Sequence, residues 1–564
     1  MTAEEQQVTD QHGQIRTPTE IDRVAESWVA TLGALVPTLA TYIGLDNGKL
    51  GEWEDFSPAG HEQLADATRS LIGELSPLNP VDEVDRVTKE DLLATLRLDL
   101  ERFDLQLHLR DVNVIASPPQ GIREVFDIMP TESEGDWSNI SSRLNGAPAA
   151  IDQYLETLRQ GISKGIVPAE RQVREVVLQA RTTADPDGLF AELVSQADGV
   201  PAGLASDLRR GARAAAEAYD TLADFLENEL LPVAGDRDAV GRDIYEVASR
   251  SFLGATVDLD ETYEWGIEEL RRMVEEQTAI ANEIKPGASV EEAIEFLNAD
   301  SSRKLHGTDA LQRWMQETSD RAVEELGKTH FDIPQQIRTL ECMIAPSHTG
   351  IIYYTGPTDD FSRPGRMWWS VPEGVTEFDT WRELTTVYHE GVPGHHLQIA
   401  QAVYNRGTLN SYRRLLAGTS GHAEGWALYA ERLMEELGYL EDPADRLGML
   451  DGQRMRAARV VLDIGVHLEK ERPDGKGPWT GDYALDFMAG NVNMNSEFVR
   501  FEVNRYLGWP GQAPSYKVGQ RIWEQIRDEY KSREGAAFSP KDFHKKALDL
   551  GGVGLDTLKS ALLG

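Results

Sequence analysis

Along most of the chain apolar residues return at intervals of three and four, the pattern of helices that bury one face. From Glu20, IDRVAESWVATLGALVPTLATYIG keeps that period with a break at Pro37. KEDLLATLRLDLERFDLQLHL, IDQYLETLRQGI, PAERQVREVVLQAR and GARAAAEAYDTLADFLENEL continue it. The spacing predicts one long charged helix from Thr262 to Lys285 and two more in VEEAIEFLNAD and ALQRWMQETSDRAVEELGKT. Strand-like segments are confined to 339–372, where ECMIAP, GIIYYTG and GRMWWSVP are rich in β-branched and aromatic residues and punctuated by Gly and Pro. The expected fold is therefore mainly α with a small antiparallel or mixed sheet. Residues 1–20 read as disordered, 21–250 as an N-terminal helical lobe and 251–564 as a second helical lobe; the boundary is soft, and one continuous domain would read the same way.

Composition narrows the class of partner. The 95 acidic and 56 basic residues give a net charge of −39, a field that repels nucleic acid and anionic lipid. The single cysteine, Cys342, permits no disulfide within the chain. The first residues, MTAEEQQVTDQHGQ, lack the basic and apolar regions of a signal peptide, and no apolar run is long enough to span a bilayer. These features lead to the expectation of a cytoplasmic protein with neither nucleic acid nor membrane among its partners.

One stretch carries chemistry. Four of the twelve histidines lie between 389 and 422, in Tyr388-His389-Glu390-Gly391-Val392-Pro393-Gly394-His395-His396 and in Gly421-His422-Ala423-Glu424. A hydrolytic zinc site needs three protein ligands, an open position and a carboxylate base. The simple HExxH pattern is absent, because Pro393 stands where its second histidine would be. Thr380 and Glu383 have the spacing of a capping box, which predicts a helix from Trp381 into His389. His389 and His396 would then be about 10 Å apart along an unbroken helix, too far for one metal. Gly391-Val392-Pro393-Gly394 can loop out the excess and let His389 meet His395 or His396. On the next helix Glu424 is the expected third ligand, with Glu431 two turns on placed to orient a histidine. Small residues Ala423, Gly425 and Ala427 leave room for another backbone. The competing expectation is an acidic stripe facing water.

The motif His389-Glu390-x-x-Pro-Gly-His395-His396 followed by Glu424-Gly-Trp-Ala-Leu-Tyr-Ala-Glu431 resembles a bacterial family of unknown function with an HExxPGHH signature. That family is similar, distantly, to thimet-oligopeptidase-like and carboxypeptidase-Taq-like zinc peptidases. The resemblance implies a two-lobed helical peptidase with a deep cleft and a small sheet at its rim. It makes His395 the second ligand and Tyr516 the oxyanion donor, with Arg505 and Lys517 as substrate contacts. One Zn2+ per chain, held by His389, His395 and Glu424, and Glu390 as general base would cleave short peptides. Non-peptide amides or esters, or idle binding of metal or peptide, are the alternatives. Two further expectations come from spacing. GRMWWSVP, with Trp369, is an edge strand to which a peptide could add, or an ordinary buried strand. His467, sharing a helix face with Arg459 and Asp463, is a second oxyanion stabiliser or half of a surface ion pair.

Overall fold

The computed structural model describes residues 15–346 and 352–564. Most of the stretch expected to be disordered, 1–14, lies outside the described residues. The segment leading into the first helix is tied down: Arg16 donates its backbone N–H to Gly407 O at 2.8 Å and pairs its guanidinium with Asp22, Asp82 and Asp85. That helix, Glu20–Leu35, opens with a capping box between Thr19 and Asp22 and stops ahead of Pro37.

The architecture is mainly α. In the first half of the chain, Glu134–Lys164 and Ala202–Phe225 lie along one another and bury Ile140, Leu144, Tyr154, Tyr219 and Leu222 in a shared core. A second, larger core is built from Val87 and from the chain from Tyr245 onward. There Leu259–Ile284 packs along Pro443–His467, and Ser420–Glu436 packs along Ser515–Glu534. The long charged helix expected over 262–285 is the first of these four.

The strands form two small sheets. β1 (Lys304–His306) pairs antiparallel with β5 (Glu377–Asp379), and β2 (Leu340–Ile344), β3 (Ile352–Thr355) and β4 (Gly365–Trp369) form a mixed sheet in the order β2-β4-β3. GRMWWSVP is therefore the central strand, with a neighbour on each side, and offers no free edge for a peptide. Trp369 pairs with Ile344 and Ile352 and is 4% exposed among Cys342, Met367 and Val387, which rules out the expected substrate contact.

Six helices carry the candidate site: α1 (Thr380–Glu390), α2 (His395–Tyr404), α3 (Ser420–Glu436), α4 (Pro443–His467), α5 (Ser496–Gly508) and α6 (Ser515–Glu534). The small residues of α3 have the expected use. A Cβ on Gly425 would stand 2.5 Å from the Gly519 carbonyl carbon, so α3 and α6 approach backbone to backbone there. α1 begins one residue earlier than the capping box predicted, and that box does not form. The Thr380 hydroxyl donates instead to Arg303 O at 3.0 Å, tying α1 to the segment that leads into β1.

Candidate metal centre

His389 lies at the C-terminal end of α1 and His395 opens α2, with residues 391–394 turning the chain between them. Gly394 N donates to Tyr388 O at 3.0 Å and His396 N to Gly391 O at 3.1 Å, which folds the turn back on α1. A Cβ on Gly394 would lie 1.9 Å from His389 O, so only glycine fits. The turn removes the helical rise that would separate the two histidines. Their rings end 4.8 Å apart, centroid to centroid, with planes at 89°.

Glu424, the fifth residue of α3, reaches into this corner. Its Oε2 stands 3.4 Å from His389 Nε2 and 3.5 Å from His395 Nε2. Two ligand atoms about 2.1 Å from a tetrahedral metal are separated by about 3.4 Å, so Glu424 Oε2 stands at the spacing that one ion requires from each histidine nitrogen. Glu390 belongs to the same group: one of its carboxylate oxygens and the ligand nitrogens of His389 and His395 lie within 4.8 Å of one another. Two carboxylate oxygens of the cluster, Glu390 Oε2 and Glu424 Oε2, are buried without a hydrogen-bond partner. A cation is the partner that this arrangement of lone pairs suits.

The charges in this corner favour a positive group. Burial alone would push the His389 imidazolium down, but Glu424 and Glu431 outweigh it and hold the group up at about 10. Desolvation would raise the Glu424 carboxyl; His389 and His395 instead hold it well below the carboxylate range.

His389 is also gripped from behind. Its Nδ1 donates to Glu431 Oε1 at 2.8 Å, leaving Nε2 for the centre. Glu431 Oε2 accepts from Gln453 Nε2 of α4 at 3.1 Å, and Gln453 Oε1 accepts from Lys517 Nζ of α6 at 2.7 Å. The stripe carrying Glu424 and Glu431 therefore faces the centre and not water: Glu431 is 4% exposed. Gln453 has no signal in the sequence, because nothing local shows which residue of α4 meets Glu431.

The structure separates the remaining expected residues. His396 is excluded from the centre: its Nε2 donates to Ile337 O at 2.7 Å, its Nδ1 accepts from the Tyr354 hydroxyl at 2.9 Å, and burial pushes its pKa down to about 4. His422 is packed against Trp523. Lys517, expected at the substrate, is 2% exposed and committed to Glu269 at 3.0 Å as well as to Gln453 and Gln520. His467 is neither a surface ion pair nor an oxyanion donor. It is fully buried, donates from Nε2 to Tyr506 O at 3.1 Å, and is 3.9 Å from Asp463, whose carboxylate accepts instead from Tyr245 and Gly511.

Tyr516 does reach the neighbourhood. Burial raises its phenol pKa, and the Glu424 charge raises it further. The Arg459 and Arg456 guanidinium carbons stand 5.2 and 5.9 Å from its ring centroid. Arg459 is neutralised by Glu502 at 2.8 Å, and Arg505, expected at the substrate, shares that carboxylate at 2.9 Å. Arg456 makes no ion pair among the described residues. Its spacing from Arg459, three residues further along α4, could have pointed to it.

Bacterial proteins of unknown function classed together as DUF885 match residues 37–562. The chain belongs to the DUF885 family. No curated protein matches it. A putative lipoprotein from Colwellia psychrerythraea has a crystal structure similar to this DUF885 chain at a TM-score of 0.82 and 22% identity, covering 96% of this chain and 98% of its own. A putative lipoprotein of unknown function from Shewanella oneidensis is similar at a TM-score of 0.76 and 17% identity, covering 97% and 100%. These likenesses show the shared fold. Their description as lipoproteins overturns the cytoplasmic location expected from the sequence. No described helix of the DUF885 chain is long and apolar enough to cross a membrane.

Proposed function

We propose that the protein is a zinc-dependent hydrolase that cleaves peptide bonds in short peptides, with His389, His395 and Glu424 holding one Zn2+. The observation that carries this reading is the position of Glu424 Oε2, buried, without a hydrogen-bond partner and 3.4 and 3.5 Å from two imidazole nitrogens. When bound, zinc supplies Lewis-acid polarisation of the scissile carbonyl and a lower pKa for water. The chain's own residues would do the rest. Glu390, whose Oε2 is buried and unpaired beside the ligands, takes a proton from the attacking water and returns it to the leaving amine. Tyr516 donates its hydroxyl to the oxygen that gains charge. Glu431 keeps His389 in the tautomer that presents Nε2.

A peptide suits the site better than a neutral amide because Arg456 brings an unpaired guanidinium to the Tyr516 side of an otherwise strongly acidic protein. It fits a substrate carboxylate, the role that Lys517 and Arg505 are too committed to fill. The distant likeness of the His-Glu-x-x-Pro-Gly-His-His motif to zinc peptidases points the same way. The test is mass-spectrometric analysis of a mixed library of short peptides incubated with the zinc-supplemented protein. Cleavage that disappears in Glu390→Gln, with zinc content unchanged, is the expected result; a wild-type protein that leaves the whole library intact overturns the reading.

A further inference from the structure

A cavity of about 530 Å³ lies among the N-terminal helices and shares no lining residue with the metal centre. Trp28 comes from the first helix, Leu64 from Pro58–Leu75 and Leu100 from Glu83–Asp104; Leu416 closes it from the segment just ahead of α3. That volume and those apolar walls suit a small organic molecule.

The polar groups decide its charge. Asp99 is open to the cavity and makes no hydrogen bond and no ion pair among the described residues. Its side chain is exposed through the mouth of the cavity, and the protein packed around it still disfavours the charged form and pushes its carboxyl up to about 6. Asp111, also in the lining, has a single side-chain bond, a long one of 3.4 Å from Asn113 Nδ2. His61 and His108, whose rings are 4.7 Å apart, are both pushed down by burial, so neither carries a positive charge at neutral pH. Among the described residues Arg102 is the one cation in the lining, and it spends a donor on Ser251. Two carboxylates therefore face one guanidinium. An anionic ligand would meet both carboxylates, and a neutral one would displace the water that solvates Asp99 and give it no partner in return.

We propose that this cavity binds a small organic cation, its ammonium group against Asp99 and its hydrophobic body among Trp28, Leu64, Leu100 and Leu416. Isothermal titration of the full chain with 2-phenylethylammonium, 2-phenylethanol and 3-phenylpropanoate tests it. The ammonium should bind at one site per chain, the alcohol roughly tenfold or more weaker, and the carboxylate not at all. Asp99→Asn, which changes no existing bond, should weaken the ammonium by a similar factor, and Leu100→Trp, which fills the cavity, should remove binding. Absent ammonium binding, an alcohol that binds as tightly, or affinity kept in Asp99→Asn overturns the proposal. The Asp99→Asn result stands even if the larger side chain in Leu100→Trp prevents folding.

Discussion

At the scale of single residues, the adjacent histidines 395 and 396 show how one peptide step separates chemistry from packing. His395 turns toward Glu424, whereas His396 turns toward Tyr354 and Ile337 and satisfies both ring nitrogens there. His396→Ala should therefore keep the metal yet lower the unfolding free energy by about 1–3 kcal/mol, the usual cost of stranding buried polar partners. Denaturant titration beside elemental analysis would check both halves; loss of metal in that variant would move the second ligand to His396. Glu390→Gln should keep the ligands and cost about 10²–10⁴-fold in peptide turnover, as expected for removal of a general base. Steady-state kinetics at saturating zinc measures it, and a loss of metal instead would show Glu390 to be a ligand.

At the scale of elements, the site depends on the turn between α1 and α2 and on the layer of α4 behind it. Gly394→Ala forces a Cβ to within 1.9 Å of His389 O, so the turn has to open and carry His395 away. A destabilisation of about 3 kcal/mol or more, with loss of metal, is the expected outcome of such overpacking. Gln453 is the joint between α3, α4 and α6. Gln453→Ala leaves Lys517 and Glu431 without their shared partner and should lower metal affinity by about 10–100-fold while peptide turnover at saturating metal is largely kept. Competition with a chelator measures the affinity; an unchanged value would reduce the link to packing.

The same elements show how far local sequence reaches. Helix period, the break at Pro37 and the looping-out by residues 391–394 are legible in the sequence because they depend on near neighbours along the chain. The loss of the Thr380 capping box, the central place of β4 and the burial of Lys517 and His467 are not. Each is decided by a contact with a distant segment: Arg303 for Thr380, β2 for β4, Glu269 for Lys517 and Tyr506 for His467. Lys517 illustrates the point, since a cation beside a Gly- and Pro-rich segment reads as exposed until α4 and Leu259–Ile284 are laid over it.

At the scale of the whole molecule, the described residues bury separate cores in the first and second halves of the chain, and the metal centre belongs to the second. That core also makes the protein sensitive to acid. His544 stacks on Phe331 at 4.4 Å, donates from Nδ1 to His330 O and accepts from the Tyr429 hydroxyl, and burial pushes its pKa down to about 4. A histidine kept neutral in the folded state stabilises it fully above the unfolded pKa near 6.5. That contribution is lost as pH falls from there toward 4, by about 3 kcal/mol for this residue. Unfolding free energies measured between pH 7 and pH 4 should show the loss, and His544→Gln should flatten the slope; an unchanged slope would mean that the ring is not held neutral.

The claim on which the functional reading turns is that His389, His395 and Glu424 hold one zinc ion, and elemental analysis of the purified protein tests it most directly. The prediction is about one zinc per chain, absent from His389→Ala and Glu424→Gln and present in His396→Ala. A wild-type protein that retains no stoichiometric zinc after incubation with the metal and dialysis would contradict the assignment.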